Sequence, residues 1–156
     1  MPNIKKIILI LIGIIILVSI MQRCLEKRYM QIGPESKLII NGSADVYIDE
    51  IRVRYDAGNT LEYSIVSSGP NEFIAGYSGI LEYEKNGLWY TLAYKHPPFS
   101  EQPIYCDPND TVYREFAAEW HYGKLRDGHY RFIRPIGEKG ADSPYLISIE
   151  FDIISN

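Results

Sequence analysis

An uninterrupted apolar run near the amino terminus constrains this chain more than any other feature. Residues 7–21 read IILILIGIIILVSIM. As a helix rising about 1.5 Å per residue the run is about 22 Å long, whereas a bilayer core is about 30 Å thick. If residues 4–22 contact the bilayer and Lys5, Lys6 and Arg23 direct their charged ends outward, the length becomes sufficient. No other helical pattern in the chain could cover such a helix, so we expect a single membrane span.

The residues after this run bear on cleavage of the segment. A secretory signal peptide has the same layout but ends in a small-x-small cleavage site. Bulky and charged residues follow here instead, in the sequence QRCLEKR at 22–28. Lipidation at Cys24 would need small residues just before it, and Met21, Gln22 and Arg23 stand there. We expect an uncleaved signal-anchor, with cleavage and lipidation left as alternatives.

Charge is distributed unevenly along the chain. Residues 1–30 hold five Lys or Arg and one Glu, whereas residues 31–156 hold eleven Lys or Arg and nineteen Asp or Glu, a net −8. This acidic balance argues against a nucleic-acid partner, which needs a basic face. Basic residues nearly balance across the span, and we favour a cytoplasmic amino terminus because two lysines abut the span there. The protein is then expected in the cell membrane, with its carboxy-terminal domain extracytoplasmic.

Three segments are predicted along the chain. They are a cytoplasmic stub with the signal-anchor helix at 1–23, a juxtamembrane linker at 24–35 and one folded domain at 36–156. Thirteen Tyr, five Phe and two Trp provide enough surface for a packed core, which argues against disorder. Because the linker is short, the domain is expected close to the membrane.

Alternation of apolar and polar residues recurs through the predicted domain and indicates strands. The clearest case is Tyr145–Ile153, where apolar side chains occupy every odd-numbered position. Residues 61–65 alternate in the same way. Residues 46–48 and 51–55 are out of phase with each other, so a bulge or corner is expected at 49–50.

Residues 80–94 predict a β-hairpin. Alternating residues lead up to Asn86-Gly87 and continue after it. The Asn-Gly pair supplies the positive φ angles of a type I′ turn, which matches the twist of paired strands. The proline-containing stretch 95–110 then predicts a loop. About seven to eight short strands in all are typical of an antiparallel β-sandwich.

The stretch LRDGHYRF at 125–132 carries the most specific fold signal. Gly128 permits a tight turn into a strand, and Tyr130 can bury its ring and return its hydroxyl to the backbone a few residues upstream. That arrangement is the tyrosine corner of Ig-type sandwiches. A buried phenol needs such a partner for its hydroxyl group.

At these motifs the chain resembles the bacterial Ig-like domains found on membrane-anchored and lipoprotein chains of Gram-positive bacteria. The matching stretches are GYSGILEYE at 76–84, followed by Trp89-Tyr90, and YGKLRDGHYR at 122–131. In that family a segment of the form YGxxYxLE precedes a Trp, and LxxGxYR comes near the end. The resemblance covers about residues 60–155 and implies an all-β, Ig-like antiparallel sandwich presented as a surface module. It brings no catalytic residues, and it leaves the ligand undefined.

Potential metal ligands occur without a recognisable spacing. The histidines at positions 96, 121 and 129 do not form a paired metal-binding motif. The DPND stretch at 107–110 lacks the glycine and the distal glutamate of a calcium loop. We predict no metal and no cofactor.

Two carboxylates are the best catalytic candidates. Glu82 and Glu84 occupy one face of a predicted strand, about 6.8 Å apart, a separation that glycosidase carboxylates can have. Outward glutamates on a hairpin are nearly always solvated surface, and no nucleophile or phosphate-binding motif is present in the sequence. We predict that the protein is not an enzyme.

Two cysteines, Cys24 and Cys106, allow at most one disulfide. An intramolecular bridge would join the domain to its anchor if both lie outside the cell. Pairing of Cys24 between two copies, or two free thiols, are the alternatives. Cys106 lies in the predicted loop.

Four aromatic residues are predicted to form a binding surface. It comprises Trp89, Tyr94, Phe99 and Tyr105, around the 95–110 loop, because exposed Tyr and Trp are typical of protein or carbohydrate recognition. The alternative is that these rings line the core. The leading functional hypothesis is therefore a membrane-anchored Ig-like module that binds an unknown protein or glycan without chemical turnover. The second hypothesis is a structural or assembly subunit of a larger membrane complex, such as a sensor or a secretion component.

Overall fold

A long helix precedes the β-rich part of the chain. The computed structural model describes residues 4–76, 79–97, 103–141 and 144–154. Helix α1 comprises Ile4–Arg28. Its stretch Ile7–Leu25 has a mean hydropathy of 2.6 and is not buried against the protein. At about 1.5 Å per residue these 19 residues extend about 28 Å, close to the bilayer core of about 30 Å. By length and composition this helix can serve as a membrane anchor or as a signal peptide.

Ten strands follow in the described part of the chain, more than the seven or eight predicted. In chain order they are β1 Gln31–Glu35, β2 Val46–Arg54, β3 Thr60–Ser67, β4 Phe73–Ala75, β5 Ile80–Lys85, β6 Leu88–Ala93, β7 Ile104–Cys106, β8 Thr111–Ala117, β9 Gly128–Glu138 and β10 Tyr145–Ile153. A short helix, α2 at Ala118–Tyr122, connects β8 to β9. The additional strands β1, β4 and β7 are short, and such strands leave little alternation in a sequence.

The strands form two antiparallel sheets that pack face to face. The smaller sheet has the order β2-β3-β8, and the larger has β1-β6-β5-β9 with β10 on the other side of β9. Strand β4 pairs with the last residues of β9, and β7 pairs with β4. The ring of Phe132 in β9 lies 4.9 Å from Tyr63 in β3 and 5.2 Å from Phe116 in β8, so the sheets meet through aromatic contacts. The predicted all-β sandwich after an apolar helix is confirmed.

Two local features predicted from the sequence, a bulge at 49–50 and a turn at 86–87, agree with the structure. The pairing of β2 with β3 shifts register between Ile48 and Glu50, as the change of phase predicts. Asn86 and Gly87, with φ of 55° and 76°, connect β5 to β6. Both features follow from residues close together in the chain, which is why the sequence reveals them.

The structure corrects the predicted linker at 24–35. Helix α1 continues to Arg28, and Gln31–Glu35 forms β1, which pairs with β6 at the edge of the larger sheet. The N–H of Lys124 donates to the carbonyl of Arg28 at 2.9 Å, and the N–H of Met30 donates to the carbonyl of Lys124 at 3.0 Å. The sequence QIGPE contains the Gly and Pro typical of a joint, and only pairing with β6 makes it a strand. Helix α1 and the domain are thus joined without a free linker.

The predicted loop at 95–110 also needs correction. Residues 104–106 form β7, which pairs with β4, and Cys106 is fully buried there rather than placed in a loop. Cys106 and Cys24 are both free thiols, the first buried and the second exposed. A strand of three residues depends on its distant partner, so the alternation test could not detect it.

Candidate functional site on the outer face of the larger sheet

The face of the larger sheet that points away from the core gathers most of the polar side chains of its central strands. Side chains alternate between the two faces of a strand, so β5, β6, β9 and β10 each contribute every second residue to this outer face. Its principal members, placed by the strand pairing, are Glu82, Glu84, Trp89, Thr91, His129, Arg131, Glu150 and Asp152.

A buried ion pair occupies the centre of this face. The Nε and Nη2 groups of Arg131 donate to the same carboxylate oxygen of Glu82, at 2.9 and 2.5 Å. Glu82 is fully buried, and the Arg131 side chain is 14% exposed. The guanidinium carbon lies 4.5 Å from the ring centroid of Trp89, a cation–π distance. The expectation that Glu82 is solvated is therefore wrong, and its carboxylate is held by Arg131 instead of being open to a substrate.

Residues 36–42, here termed the crossing segment, connect the two sides of this face. At one end the N–H of Ser36 donates to the carbonyl of Trp89 in β6 at 2.8 Å. At the other end Leu146 of β10 donates its N–H to the side-chain oxygen of Asn41 at 2.6 Å, and its carbonyl accepts from Gly42 at 3.2 Å. Strands β5 and β9 lie between β6 and β10, and the smaller sheet occupies their inner side. The crossing segment therefore passes over the outer face, on which the ion pair lies.

His129 lies beside the ion pair, between two carboxylates. Its Nδ1 is 2.8 Å from an oxygen of Asp152, and its Nε2 is 3.2 Å from an oxygen of Glu150. The hydrogen bond to Asp152, followed by the one to Glu150, raises the pKa of His129 above its ordinary value. The ring also contacts Trp89 at a centroid distance of 5.5 Å. Because Arg131 neutralises Glu82, the exposed part of this face keeps an excess of carboxylates around a half-buried indole.

Such a face can bind cations and hydroxyl groups, and it lacks the arrangement of a metal centre. Within the described ranges, no group of three or more His, Cys, Asp or Glu side chains is placed to hold a metal ion. Carboxylates on a rigid sheet accept hydrogen bonds, and a neighbouring Trp adds apolar contact area.

The residues predicted as a binding surface do not come together. Trp89 belongs to the outer face just described. Tyr94 packs internally, since its ring stacks on Tyr122 at 4.6 Å and its hydroxyl donates to the carbonyl of Gly79 at 2.7 Å. Tyr105 is 56% exposed, but it lies on β7 at the opposite edge of the larger sheet. Phe99 lies outside the described residues.

Sequence reasoning missed Arg131, Glu150 and Asp152 as members of the site. The alternation in the sequence shows that these residues occupy the polar face of two strands. It does not show that the two strands are neighbours in the sheet. The apolar stretch Leu-Ile-Ile at 38–40 is not a usable signal of the site, because Leu38 is 37% and Ile39 80% exposed.

The predicted tyrosine-corner residues meet at the start of β9. The hydroxyl of Tyr130 donates to the carbonyl of Arg126 at 2.6 Å and accepts from the N–H of the same residue at 3.1 Å. Burial raises the pKa of Tyr130 above its ordinary value, so the hydroxyl stays protonated and can donate. Gly128 has φ of 148°, and a Cβ there would lie 3.1 Å from the hydroxyl of Tyr83. This corner requires glycine on both counts.

Strand order and corner together define the class of protein. In the Ig nomenclature β2, β3 and β8 take the places of strands A, B and E, while β5, β9 and β10 take those of C, F and G, with the tyrosine corner at the start of F. The chain is thus an Ig-like β-sandwich. The family model for the bacterial Ig-like domain matches residues 42–151, and the chain belongs to that family. A search of curated proteins found no match. Ig-like domains are generally non-catalytic.

Proposed function

We propose that this protein is a membrane-anchored, extracytoplasmic Ig-like module that binds a positively charged protein partner, without chemical turnover, through the outer face of its larger sheet. The observation that carries the proposal is the juxtaposition of Trp89 with the exposed carboxylates of Glu150 and Asp152 on one rigid face. Aromatic anchors surrounded by complementary charge are typical of protein interfaces. The net charge of −8 after residue 30 supports a cationic partner.

Retention of α1 as an anchor is supported by how it enters the domain. Met30, two residues after the helix, is buried in the core, and the hydroxyl of Tyr130 lies 3.2 Å from its sulfur. Cleavage after the apolar run would cut within a continuous helix just before this core residue. A helix as apolar as Ile7–Leu25 and exposed along its whole length is stable in lipid rather than in water.

A binding role is favoured over catalysis by the state of the best catalytic candidate. Glu82 is fully buried and its carboxylate is held by Arg131, so it has no access to a substrate. His129 is engaged by two carboxylates on an open face, an arrangement that suits electrostatic recognition.

Binding to defined probes tests the proposal. The full chain in phospholipid nanodiscs would be titrated with a basic peptide, an acidic peptide of the same length and a set of neutral oligosaccharides. We expect the basic peptide to bind, and Trp89→Ala to weaken binding by about 30-fold. Tyr113→Ala, a matched change of a 72% exposed aromatic residue on the smaller sheet, should leave binding unchanged. Preference for the acidic peptide or for an oligosaccharide would contradict the assignment of a cationic protein partner.

Placement of the domain is tested separately. Protease added to intact spheroplasts should digest the domain if it lies outside the cytoplasm. Digestion that occurs only after lysis would place the domain inside.

A further inference from the structure

A polar cleft lies at the end of the domain that adjoins α1. It has a volume of about 370 Å³, and its lining includes two cationic side chains, Arg28 and Lys124, and one carboxylate, Glu119. Arg28 is the last residue of α1, and Lys124 belongs to the connection between α2 and β9. Part of the anchor helix and part of the domain thus form one site.

The cleft is held at a fixed height relative to the apolar span. That span ends at Leu25, and Arg28 follows three residues later, a rise of about 4.5 Å along the helix. The polar headgroup layer on each side of a bilayer is about 5 to 8 Å thick. The hydrogen bond from the N–H of Lys124 to the carbonyl of Arg28, at 2.9 Å, fixes the domain side of the cleft at the same level. If α1 spans the membrane, the cleft opens among lipid headgroups.

Cationic side chains are concentrated at this end of an otherwise acidic domain. The Nζ of Lys124 lies 5.9 Å from the ring centroid of Tyr29, and the guanidinium carbon of Arg126 lies 5.6 Å from it. Tyr29 directly follows the helix, where tyrosine is enriched at membrane interfaces. Glu119 is the acidic group in the cleft, and it also interacts electrostatically with Lys95, whose positive charge offsets it. Among the side chains that line the cleft, the cationic ones therefore outnumber the carboxylate.

We propose that this cleft binds the phosphate group of an anionic phospholipid, with Arg28 and Lys124 contacting the phosphate oxygens. The inference rests on the proposed membrane anchoring of α1. Arginine presents a planar fork of donors that matches a phosphate, and lysine adds a point charge. The bound lipid would link anchor and domain and hold the acidic domain at an anionic surface that would otherwise repel it.

Native mass spectrometry of the full chain released from nanodiscs measures this binding. The discs would contain equal amounts of phosphatidylcholine and phosphatidylglycerol. We expect the wild-type protein to retain phosphatidylglycerol. The double variant Arg28→Gln, Lys124→Gln should retain at least about tenfold less of this lipid. Lys85→Gln is the matched control for net charge, because Lys85 lies at the turn of the β5–β6 hairpin and does not line the cleft. Lys124→Arg keeps the charge and should keep the lipid.

Each outcome bears on a defined claim. Equal retention by the double variant and the wild type, with an unchanged near-ultraviolet circular dichroism spectrum, would overturn the lipid site. The same loss in Lys85→Gln would also overturn it, since it would reflect net charge alone. Displacement of the lipid by millimolar inorganic phosphate would identify a site for free anions instead. Failure of the anchoring proposal would appear earlier and differently, as protein that separates from the nanodiscs before any lipid is counted.

Discussion

The guanidinium of Arg131 and the carboxylate of Glu82 form a two-hydrogen-bond ion pair, at 2.9 and 2.5 Å, on the outer side of a sheet whose inner side is the core. The second oxygen of Glu82 is buried without a hydrogen-bond partner. Removing one member of a buried pair leaves an uncompensated charge and costs about 3 kcal/mol. We therefore expect Glu82→Ala to lower the free energy of unfolding by about 3 kcal/mol in urea denaturation.

Glu84→Ala is the matched control for this change. Glu84 lies two residues further along the same face of β5 and is only half-buried, so its loss should change stability by less than about 0.5 kcal/mol. Equal effects of the two substitutions would contradict a specific role for the Glu82–Arg131 pair.

A second prediction concerns the tyrosine corner. Tyr130→Phe removes the hydroxyl that bonds to both backbone groups of Arg126 and keeps the buried ring. A net loss of about 2 kcal/mol is expected, because two hydrogen bonds are lost and each typically contributes about 1 kcal/mol. Tyr113→Phe, at a 72% exposed position, is the control and should be neutral. Urea denaturation measures both, and a neutral Tyr130→Phe would show that the corner does not contribute to stability.

The sequence predicts those features of the fold that residues close together in the chain determine. It does not predict features that depend on contacts between distant residues. The strand Tyr145–Ile153 was predicted with its observed bounds, since its alternation records one buried face over nine residues. The turn at Asn86-Gly87 follows from two residues. By contrast, nothing near Gly79 in the sequence indicates its role, and only the structure shows that a Cβ there would overlap the ring of Phe132.

The candidate site was less accessible to prediction than the fold. Glu82 is fully buried on a face that the crossing segment, some forty residues upstream, passes over. The residues near Glu82 in the sequence do not indicate that it is buried. Trp89 was identified because large aromatic residues are informative wherever they lie, whereas Glu150 and Asp152 became part of the site only through the pairing of β9 with β10.

His129 predicts a pH dependence of stability. Its pKa is raised in the folded state, by Asp152 first and by Glu150 second, so protonation favours folding. This stabilisation is complete below the unfolded value of about 6.5 and is lost as pH rises through the higher pKa of the folded state. Urea midpoints of His129→Gln and the wild type should therefore differ most near pH 5.5 and converge at alkaline pH.

Two further variants resolve the cause of this effect. Asp152→Asn should reduce the difference more than Glu150→Gln, because the first carboxylate is 2.8 Å from the ring and the second is 3.2 Å away. If the difference in urea midpoint between His129→Gln and the wild type grew with pH, protonation of His129 would not favour folding.

The two cysteines should differ sharply in reactivity. Burial raises the pKa of the Cys106 thiol to about 11, so very little nucleophilic thiolate forms at neutral pH, and the side chain is shielded as well. Cys24 is exposed on α1. With the membrane-permeant reagent N-ethylmaleimide, we expect one thiol of the full chain in detergent to react rapidly and both to react after denaturation in dodecyl sulfate. Intact mass gives the count, and Cys24→Ser should abolish the rapid reaction. Rapid labelling of Cys106 in that variant would mean that β7 leaves β4 readily.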